Sequence, residues 1–368
     1  MNDRVSKPYD LYDFVACEND ADFSTQIIHA GESPHASAFP IYQSNTVEGL
    51  YIRMRNPTVE ALEEKMRSLE GGARTVAMSS GMAAISHTLL GLAQSGNRIV
   101  VHRSIFVGVQ TLLNDFVSKL GIDVVQVDLN SAEELARALE KPTRLVYFET
   151  LSNPSLEVVD APAVIATARQ AGVLVVIDNT MLTPYLFKPL ESGADVVIHS
   201  ATKYLSGHGD VLAGMATFKD EALGQQIHKS RRILGGLLTP LGAFLVMRGM
   251  KTLPLRMTRH CHNAQQVAEY LQRHPRIKQV CYPGLPSTPG HSRAKSFLKA
   301  FGGIVSFETH EGLKWETFSK RLKLCRPGMS FGDAATRVQR EGPIRLSVGL
   351  EDPADILRDL EQALASKA

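Results

Sequence analysis

Several features whose presence would define a class of protein are scarce or missing in this sequence. The four cysteines, Cys17, Cys261, Cys281 and Cys325, are scattered and form no C-x-x-C pair. This spacing argues against a disulfide scaffold and favours a reducing cytoplasm. No apolar run approaches the roughly 18 residues of a membrane span, and the N-terminal segment lacks the continuous apolar core of a signal peptide. We therefore expect no membrane span, no signal peptide and a cytoplasmic location.

A surplus of charge of either sign is also missing. The 40 Lys and Arg residues nearly balance the 38 Asp and Glu residues, so the net charge is +2. Bulk electrostatic binding to nucleic acid therefore has no support. What the sequence does have is an ordinary globular mix, 44% hydrophobic and 21% charged, over 368 residues. That composition argues against a disordered chain, and the length suggests roughly two or three domains.

Short apolar runs alternate with helical segments between residues 61 and 240. Seven of these runs have the composition of buried strands: 75–79, 98–102, 123–128, 144–149, 174–178, 196–199 and 212–218. Because such runs, alternating with helices, are typical of parallel sheets covered on both faces, the pattern predicts an α/β domain with a mostly parallel seven-stranded sheet. Ligands of such sheets bind at the carboxyl ends of the strands.

The chain differs in character on either side of this region. Residues 1–60 carry few periodic signals and several glycine and proline breakers. We expect an arm that reaches a neighbouring subunit, with a frayed tail as the alternative. Residues 241–368 begin with a long helical region and continue with short strands and two further helices. This order predicts a smaller C-terminal α+β domain.

The most informative segment is VVIHSATKYLSGHGDVLAG at 196–214. Its apolar strand ends in Ser200, Thr202 and Lys203, and glycines follow. Desolvation at the mouth of a buried strand lowers the pKa of a lysine, which makes its amine a nucleophile toward a carbonyl carbon. The two hydroxyls can donate to an anion beside it. A surface lysine that merely follows a strand is the alternative.

A carboxylate, Asp178, ends another apolar run, 25 residues before Lys203. One strand–crossover–strand unit spans that distance, so both side chains can reach the same edge of the sheet. A carboxylate at an apolar strand end needs a cation, and a protonated pyridine nitrogen is one such partner. Amine and carboxylate together are the protein's share of pyridoxal 5'-phosphate (PLP) chemistry. Taken alone, Asp178 is equally compatible with a turn or a helix N-cap.

A third element is SSGM at 79–82, which follows a predicted strand and opens a predicted helix. Small residues such as Ser80 and Gly81, followed by Met82, let backbone N–H groups and the helix N-terminus face a phosphate. The alternative of a dinucleotide-binding site is not supported, because the GHG at 207–209 does not continue into the G-x-G-x-x-G fingerprint.

Together with NPTVEALEEK at 56–65, IDNT at 177–180 and RGMKTLPLRM at 248–257, these segments resemble the PLP-dependent enzymes of cysteine and methionine metabolism. That transsulfuration family includes cystathionine γ-synthase, the cystathionine lyases, methionine γ-lyase and the O-acylhomoserine sulfhydrylases. The resemblance runs from Thr25 to Gly349. It implies the fold-type-I PLP-dependent transferase fold.

The resemblance also implies roles around the cofactor. Lys203 would hold PLP as an aldimine and later move protons between the substrate carbons, and Asp178 would pair with the pyridine nitrogen. Asn153 would lie beside the phenolic oxygen of the cofactor. The residues that would bind its phosphate within the same chain are Ser80, Gly81, Met82, Ser200 and Thr202.

Further roles implied by the resemblance concern the substrate and the assembly. Arg345, assisted by Ser330, would clamp the α-carboxylate of a small amino-acid substrate, since an arginine fork suits that planar anion. Tyr51 and Arg53 would reach the cofactor phosphate of a neighbouring subunit. Shared sites imply at least a homodimer, and the family favours a homotetramer.

The sequence departs from the family pattern in three places. Phe106 stands where the family has a tyrosine that stacks on the pyridine ring, so the ring face is kept and the hydroxyl is lost. If that hydroxyl is the acid for the leaving group, about 10²–10⁴ of rate has to come from elsewhere. The segments 40–51 and 330–345 are both shorter than in the family. We therefore expect a wider mouth and a larger or unusual substrate.

The expected reaction is elimination at the γ-carbon of a sulfur- or O-acyl-homoserine-type amino acid. γ-Replacement by a thiol or carbon nucleophile is the closest alternative, and β-elimination from cystathionine is the third. An aminotransferase and a catalytically silent PLP-binding protein are rivals of other kinds. We expect no metal site, because His260 and His262 stand two apart on a predicted helix and so do not share a face.

Overall fold

The structure is a computed structural model that describes residues 10–15, 21–310, 314–340 and 342–365. Cys17 and the outer ends of the predicted arm and of the small domain lie outside these ranges. Within them, no helix combines the length and apolar character that crossing a bilayer requires.

The helices begin where the sequence supplies a cap. Ser80 Oγ accepts the N–H of Ala83 at 3.1 Å, and Asn56 Oδ1 accepts the N–H of Val59 at 3.2 Å, so each satisfies a donor that the first helical turn leaves open. The described helices are α1 (Phe23–His29), α2 (Pro57–Glu70), α3 (Gly81–Leu92), α4 (Val107–Leu112), α5 (Ala132–Leu139), α6 (Ala161–Gln170), α7 (Thr183–Leu186), α8 (Glu221–Leu234), α9 (Pro240–Met250), α10 (Leu253–Arg273), α11 (His291–Phe297), α12 (Trp315–Arg321) and α13 (Pro353–Leu364).

The strands fall into three sheets. In chain order they are β1 (Thr46–Val47), β2 (Leu50–Tyr51), β3 (Arg74–Met78), β4 (Arg98–His102), β5 (Asp123–Val127), β6 (Leu145–Glu149), β7 (Leu174–Asp178), β8 (Val196–His199), β9 (Gly214–Phe218), β10 (Ile277–Cys281), β11 (Ile304–Thr309), β12 (Arg326–Pro327), β13 (Arg337–Arg340) and β14 (Ile344–Ser347). Strands β1 and β2 form an isolated hairpin.

The seven-stranded sheet has the order β3-β9-β8-β7-β6-β4-β5. Strand β9 runs antiparallel to β3 and β8, whereas the other pairs are parallel. Separate apolar cores cover its two faces, one containing Val146 and Ile177 and the other Tyr147 and Val176. The predicted mostly parallel sheet, buried on both faces, is confirmed. Its register sets Glu149 beside Asp178 at the carboxyl ends of β6 and β7.

The smaller C-terminal domain has a five-stranded sheet of order β10-β11-β14-β13-β12. Its presence was predicted, but the sequence did not predict β12 and β13. Both are short, and the RVQR of β13 is partly exposed and charged, so it lacks the apolar composition of a strand. Helix α8 was missed for a related reason, because most of its residues are polar and only Gly224, Ile227 and Arg231 are buried.

On both sides of the predicted large domain, before residue 61 and after residue 240, the chain continues to pack on that domain. Ile27 and Phe39, from the predicted arm, are buried in the same core as Leu62 of α2. Val246 of α9, beyond residue 240, joins that core as well. By contrast, the hairpin at 46–51 leaves Leu50 and Tyr51 exposed.

Candidate active site

A cavity of about 380 Å³ opens at the carboxyl ends of β6, β7 and β8. Lys203 and Asp178 both line it, as the sequence predicted. The other predicted residues that line it are Ser80, Gly81, Met82, Phe106, Asn153, Ser200, Thr202 and Arg345. The sheet therefore brings most of the expected side chains to one place.

Lys203 lies on a tight loop directly after β8. The loop is held by Arg256, whose guanidinium donates to the carbonyl oxygens of Tyr204 at 2.6 Å and Leu205 at 3.3 Å. The Nζ of Lys203 donates to Ser330 Oγ at 2.9 Å and lies 4.8 Å from the centre of the Phe331 ring. Burial, reinforced by the positive charge of Arg345, lowers the pKa of Lys203. The amine is thus biased toward its neutral, nucleophilic form.

Asp178 ends β7 at the floor of the cavity. Its Oδ1 accepts the N–H of Thr180 at 2.9 Å, which fixes the carboxylate at the strand end. Burial raises the pKa of Asp178, although the hydrogen bonds from Thr180 oppose the shift. None of the ion pairs among the described residues includes this carboxylate. A cation placed against it would therefore gain a desolvated partner.

Glu149 is a second carboxylate at the floor, and sequence reasoning missed it. It accepts the N–H of Phe106 at 2.5 Å and the N–H of Asn153 at 2.9 Å, and so joins two loops on either side of the cavity. Burial, with a contribution from Asp178, raises its pKa to about 8. The available signal was its position at the end of a predicted strand, next to the strand that ends in Asp178.

The N-terminus of α3 forms a cradle open to an anion. A Cβ on Gly81 would lie 2.7 Å from Cβ of Ser200, and one on Gly214 would lie 2.0 Å from the carbonyl oxygen of Ser80. Glycine at these two positions lets three backbone segments approach closely. Together with the positive end of the α3 dipole, this geometry suits a phosphate.

Ser200 and Thr202, the two hydroxyl residues expected at the phosphate, make different contacts. Ser200 donates its backbone N–H to Thr180 Oγ1 at 2.8 Å and lines the cavity. Thr202 Oγ1 donates to the carbonyl oxygen of Ala213 at 3.1 Å and accepts the Ala213 N–H at 3.0 Å. Thr202 therefore tethers the lysine loop to the segment before β9. Its hydroxyl would have to leave the Ala213 carbonyl in order to donate to an anion.

Arg345 lies on β14 and reaches from the small domain into the cavity. Its Nη1 donates to Asn153 Oδ1 at 2.7 Å, and its Nη2 donates to Gln339 Oε1 at 2.5 Å and to the Met329 carbonyl oxygen at 2.9 Å. The side chain is almost fully buried. A fixed guanidinium of this kind is suited to bind a substrate carboxylate in place of its neutral acceptors.

Three predicted site residues lie outside the lining of the cavity. Ser330 contacts Lys203 Nζ in place of the expected partner Arg345. Arg53 donates to the carbonyl oxygen of Arg232 at 2.8 Å, and its guanidinium lies 5.4 Å from the Tyr51 ring centre. Tyr51 and Arg53 therefore do not complete the site of their own chain. Their expected role in a neighbouring subunit stays a prediction.

Phe106 caps α4 at the edge of the cavity, with 37% of its surface exposed. Its backbone is fixed by the bond to Glu149, and its ring packs against Gly108, where an added Cβ would lie 2.6 Å from the ring. The position suits a residue that stacks on a ring bound in the cavity.

The described residues contain one cluster of side chains of the types that bind metals, formed by His102, Asp128 and Glu157. His102 Nδ1 accepts the N–H of Leu129 at 3.2 Å, so in the neutral ring Nε2 carries the proton and cannot coordinate a metal. The pair considered in the sequence is split, because His260 is buried against the Val348 carbonyl oxygen and His262 is exposed.

These contacts fit PLP in three respects. The half-buried carboxylate of Asp178 provides a partner for a protonated ring nitrogen, and the glycine-lined N-terminus of α3 provides one for the phosphate. Lys203 provides a poorly hydrated amine for the aldehyde carbon.

Comparisons with known proteins support the same cofactor. The family model described as Cys/Met metabolism PLP-dependent enzyme matches residues 24–365. An L-methionine gamma-lyase of Fusobacterium nucleatum subsp. nucleatum is 39% identical over 384 residues, covering 92% of this chain and 97% of that protein. A cystathionine beta-lyase of Lactococcus lactis subsp. cremoris is 39% identical over 376 residues, covering 93% and 99%.

A solved structure shares the fold over nearly the whole chain. The structure of a cystathionine gamma synthase from Xanthomonas oryzae pv. oryzae, in complex with aminoacrylate and cysteine, superposes with a TM-score of 0.89. It is 35% identical and covers 94% of this chain and 98% of its own. The chain therefore belongs to the family of PLP-dependent enzymes of cysteine and methionine metabolism.

Proposed function

We propose that this enzyme catalyses elimination at the γ-carbon of a sulfur- or O-acyl-homoserine-type amino acid. One observation carries the proposal: Lys203, Asp178 and Arg345, which come from three separate segments, line a single cavity. When bound there, PLP supplies an electron-withdrawing ring joined to the substrate nitrogen. The remaining chemistry is that of the side chains.

Asp178 has the role of holding the ring nitrogen in its protonated form. Its fixed, half-buried carboxylate would favour a cation beside it more strongly than a fully exposed one, because less water competes for the charge. Glu149 contributes by position, since its two backbone bonds hold Phe106 and Asn153 on either side of the cofactor space.

Lys203 has the role of the general base. Burial lowers the pKa of its amine, so the free amine would accept the α-proton of the substrate and deliver it to another substrate carbon. Ser330 Oγ accepts from the same Nζ and so orients it. Arg345 binds the α-carboxylate and thereby fixes which substrate bond faces Lys203.

γ-Replacement is the second candidate. It is supported by the structural likeness to the Xanthomonas synthase. Both reactions share the steps assigned to Lys203. They differ in whether water or a second nucleophile enters the open mouth.

The assembly and the location remain predictions. Tyr51 and Arg53 lie outside the cavity of their own chain, which supports a homodimer with shared sites. The homotetramer rests on the family resemblance. A cytoplasmic enzyme is supported by Cys261, Cys281 and Cys325, which form no disulfide with one another.

The test is a product assay on the PLP-loaded enzyme. Methionine, homocysteine, cystathionine and the O-acylhomoserines are supplied singly and with an added thiol. γ-Elimination takes up water and gives 2-oxobutanoate, ammonia and the thiol or acid, whereas β-elimination gives pyruvate and replacement gives a new thioether. We expect 2-oxobutanoate and ammonia in equal amounts. Bound PLP without turnover, or transfer of the amino group to an oxoacid with the side chain intact, would contradict the proposal.

A further inference from the structure

Two carboxyl groups lie side by side at the floor of the cavity. The parallel register of β6 and β7 pairs Glu149 with Asp178, and both side chains line the cavity. Residues paired in this way point to the same face of the sheet, on strands about 4.8 Å apart. Two carboxylates this close repel each other, so the pair takes up a proton more readily than either group would alone.

The surroundings of the two groups favour Glu149 as the one that carries the proton. Only 5% of Glu149 is exposed, whereas Asp178 is half-buried and accepts the N–H of Thr180. Burial, with a contribution from Asp178, raises the pKa of Glu149 to about 8. Because so little of Glu149 is exposed in the single chain, a neighbouring subunit at the mouth would leave this part of the floor nearly unchanged.

The other ionisable groups around the pair leave the proton on Glu149. They are Tyr147 of β6, His199 of β8, Lys203 of the loop after β8 and Arg345 of β14. Burial raises the pKa of the Tyr147 hydroxyl well above its usual value, so this group stays neutral. A charge on His199 lowers the pKa of Asp178, and Lys203 and Arg345 donate to neutral acceptors.

Glu149 also joins the cofactor space to the substrate site. It accepts the N–H of Phe106 on one side and the N–H of Asn153 on the other. The Asn153 side chain in turn accepts from Arg345, the expected ligand of the substrate carboxylate, at 2.7 Å. An ionised carboxylate binds N–H donors roughly twice as strongly as a neutral group does. The protonation of Glu149 therefore affects how firmly both loops are held.

We infer that Glu149 is a positioning residue that links the cofactor site to the substrate site through its proton. Glu149 is protonated while the cavity is empty. When a positive ring nitrogen lies against Asp178, the O–H bond of Glu149 breaks and its proton leaves to the solvent. The resulting carboxylate holds Phe106 and Asn153 more tightly and so fixes Arg345. The inference rests on the proposed binding of PLP at Lys203, and it is independent of which substrate bond is broken.

The first experiment counts protons when a ring binds without reacting with Lys203. Pyridoxine 5'-phosphate has the ring and phosphate of PLP but an alcohol in place of the aldehyde, so it forms no bond to the amine. Calorimetric titration of the full chain as apoprotein, in buffers of different ionisation enthalpy, gives the number of protons exchanged. At pH 7 we expect the wild type to release about 0.5–1 proton more than Glu149→Gln, which has no proton to lose.

The same difference is expected in the affinity for pyridoxine 5'-phosphate. Binding that releases a proton strengthens as the pH rises. The ratio of the wild-type to the Glu149→Gln association constant should therefore rise at least about tenfold from pH 6 to pH 8 and level off above that. Glu133→Gln, at an exposed position on α5, is the matched control and should behave as the wild type does. Asp178→Asn removes the partner of the ring nitrogen and should abolish the extra proton release, which tests the inference even if Glu149→Gln fails to fold.

The second experiment tests the link to Arg345 on the PLP-loaded enzyme. L-2-aminobutanoate has no leaving group on its γ-carbon, and propylamine is the same molecule without the carboxylate. Their dissociation constants are measured from the shift in the absorbance of bound PLP. In Glu149→Gln we expect the affinity for L-2-aminobutanoate to fall about 2- to 10-fold relative to that for propylamine, because Asn153 and Arg345 are held less firmly.

The outcomes separate this inference from the proposed function. Equal proton release by the wild type and Glu149→Gln, with a ratio of affinities that does not change with pH, would overturn the proton link. Equal losses of affinity for the two amines would overturn the link to Arg345. Either result would leave the proposed γ-elimination standing. A wild type that binds neither pyridoxine 5'-phosphate nor PLP would contradict the proposed function and the inference together.

Discussion

At the floor of the cavity, Glu149 is buried and Asp178 half-buried, and both accept hydrogen bonds from the backbone. At the mouth of the cavity, which we call the rim, Leu212 and Met329 expose most of their side chains. The floor is built at the ends of parallel strands, whose register fixes each atom. The rim is built from segments between elements. The difference teaches that the sheet fixes the position of the floor residues, whereas the side chains at the mouth belong to segments that can change without disturbing the sheet.

The largest effect is expected when the lysine of the cavity is replaced. Lys203→Ala removes both the amine that holds PLP and the proton carrier, so we expect turnover to fall by at least about 10³-fold. Steady-state assays of oxoacid formation at saturating PLP measure it. Lys219→Ala, at an exposed position just after β9, is the control and should keep full activity. Activity retained in Lys203→Ala would remove the basis of the mechanism.

A smaller effect is expected where the small domain meets the floor. Arg345→Lys keeps the charge and loses the planar fork, so we expect KM to rise about 10- to 100-fold with a smaller change in kcat. Arg326→Lys, on exposed β12, is the matched control. An unchanged KM would show that the α-carboxylate binds elsewhere.

The comparison of floor and rim can be sharpened through the effect of pH on stability, because Glu149 at the floor has a shifted pKa. Its pKa is raised from an ordinary value of 4.5 to about 8, mainly by burial. The folded apoprotein therefore binds more protons than the unfolded chain between about pH 4.5 and 8. Its contribution to stability is complete below that window and is lost as the pH rises through it. Glu149→Gln cannot ionise and should lack this loss.

The measurement is the Tm of wild-type and Glu149→Gln apoprotein between pH 5 and pH 9. We expect the difference between the two to change by about a few degrees across the window, with the wild type losing ground as the pH rises. Parallel curves would show that Glu149 titrates as an exposed carboxylate does.

The smallest effect is expected between floor and rim. Phe106→Leu removes a stacking face and keeps the backbone bond to Glu149. We therefore expect the affinity for PLP to fall about 2- to 10-fold, and the ratios of kcat/KM among different substrates to stay unchanged. Fluorescence titration of apoprotein with PLP measures it. Phe116→Leu, at a 62% exposed site, serves as control. A changed substrate preference instead would place Phe106 on the rim.

The sequence predicted the floor better than the rim for a physical reason. Buried strands leave continuous apolar runs, and the charged residues that end or closely follow such a run, such as Asp178 and Lys203, stand out against them. Glu149 stands in the same position but was missed, because its partners are backbone N–H groups that carry no residue-specific signal.

Contacts between distant segments could not be predicted from the sequence pattern. The bond from Arg345 to Asn153 joins two domains, and the one from Lys203 to Ser330 depends on how the small sheet packs on the large one. Met329 is likewise exposed because no described residue packs over it, and the sequence carries no signal for that. Composition reports none of these.

The most direct test of the account is reduction of the PLP-loaded enzyme with borohydride, followed by mass spectrometry of its peptides. A poorly hydrated amine at the end of β8, in one cavity with Asp178, predicts a phosphopyridoxyl group on Lys203. Label on a different lysine, or no label on a protein that had bound PLP, would contradict it.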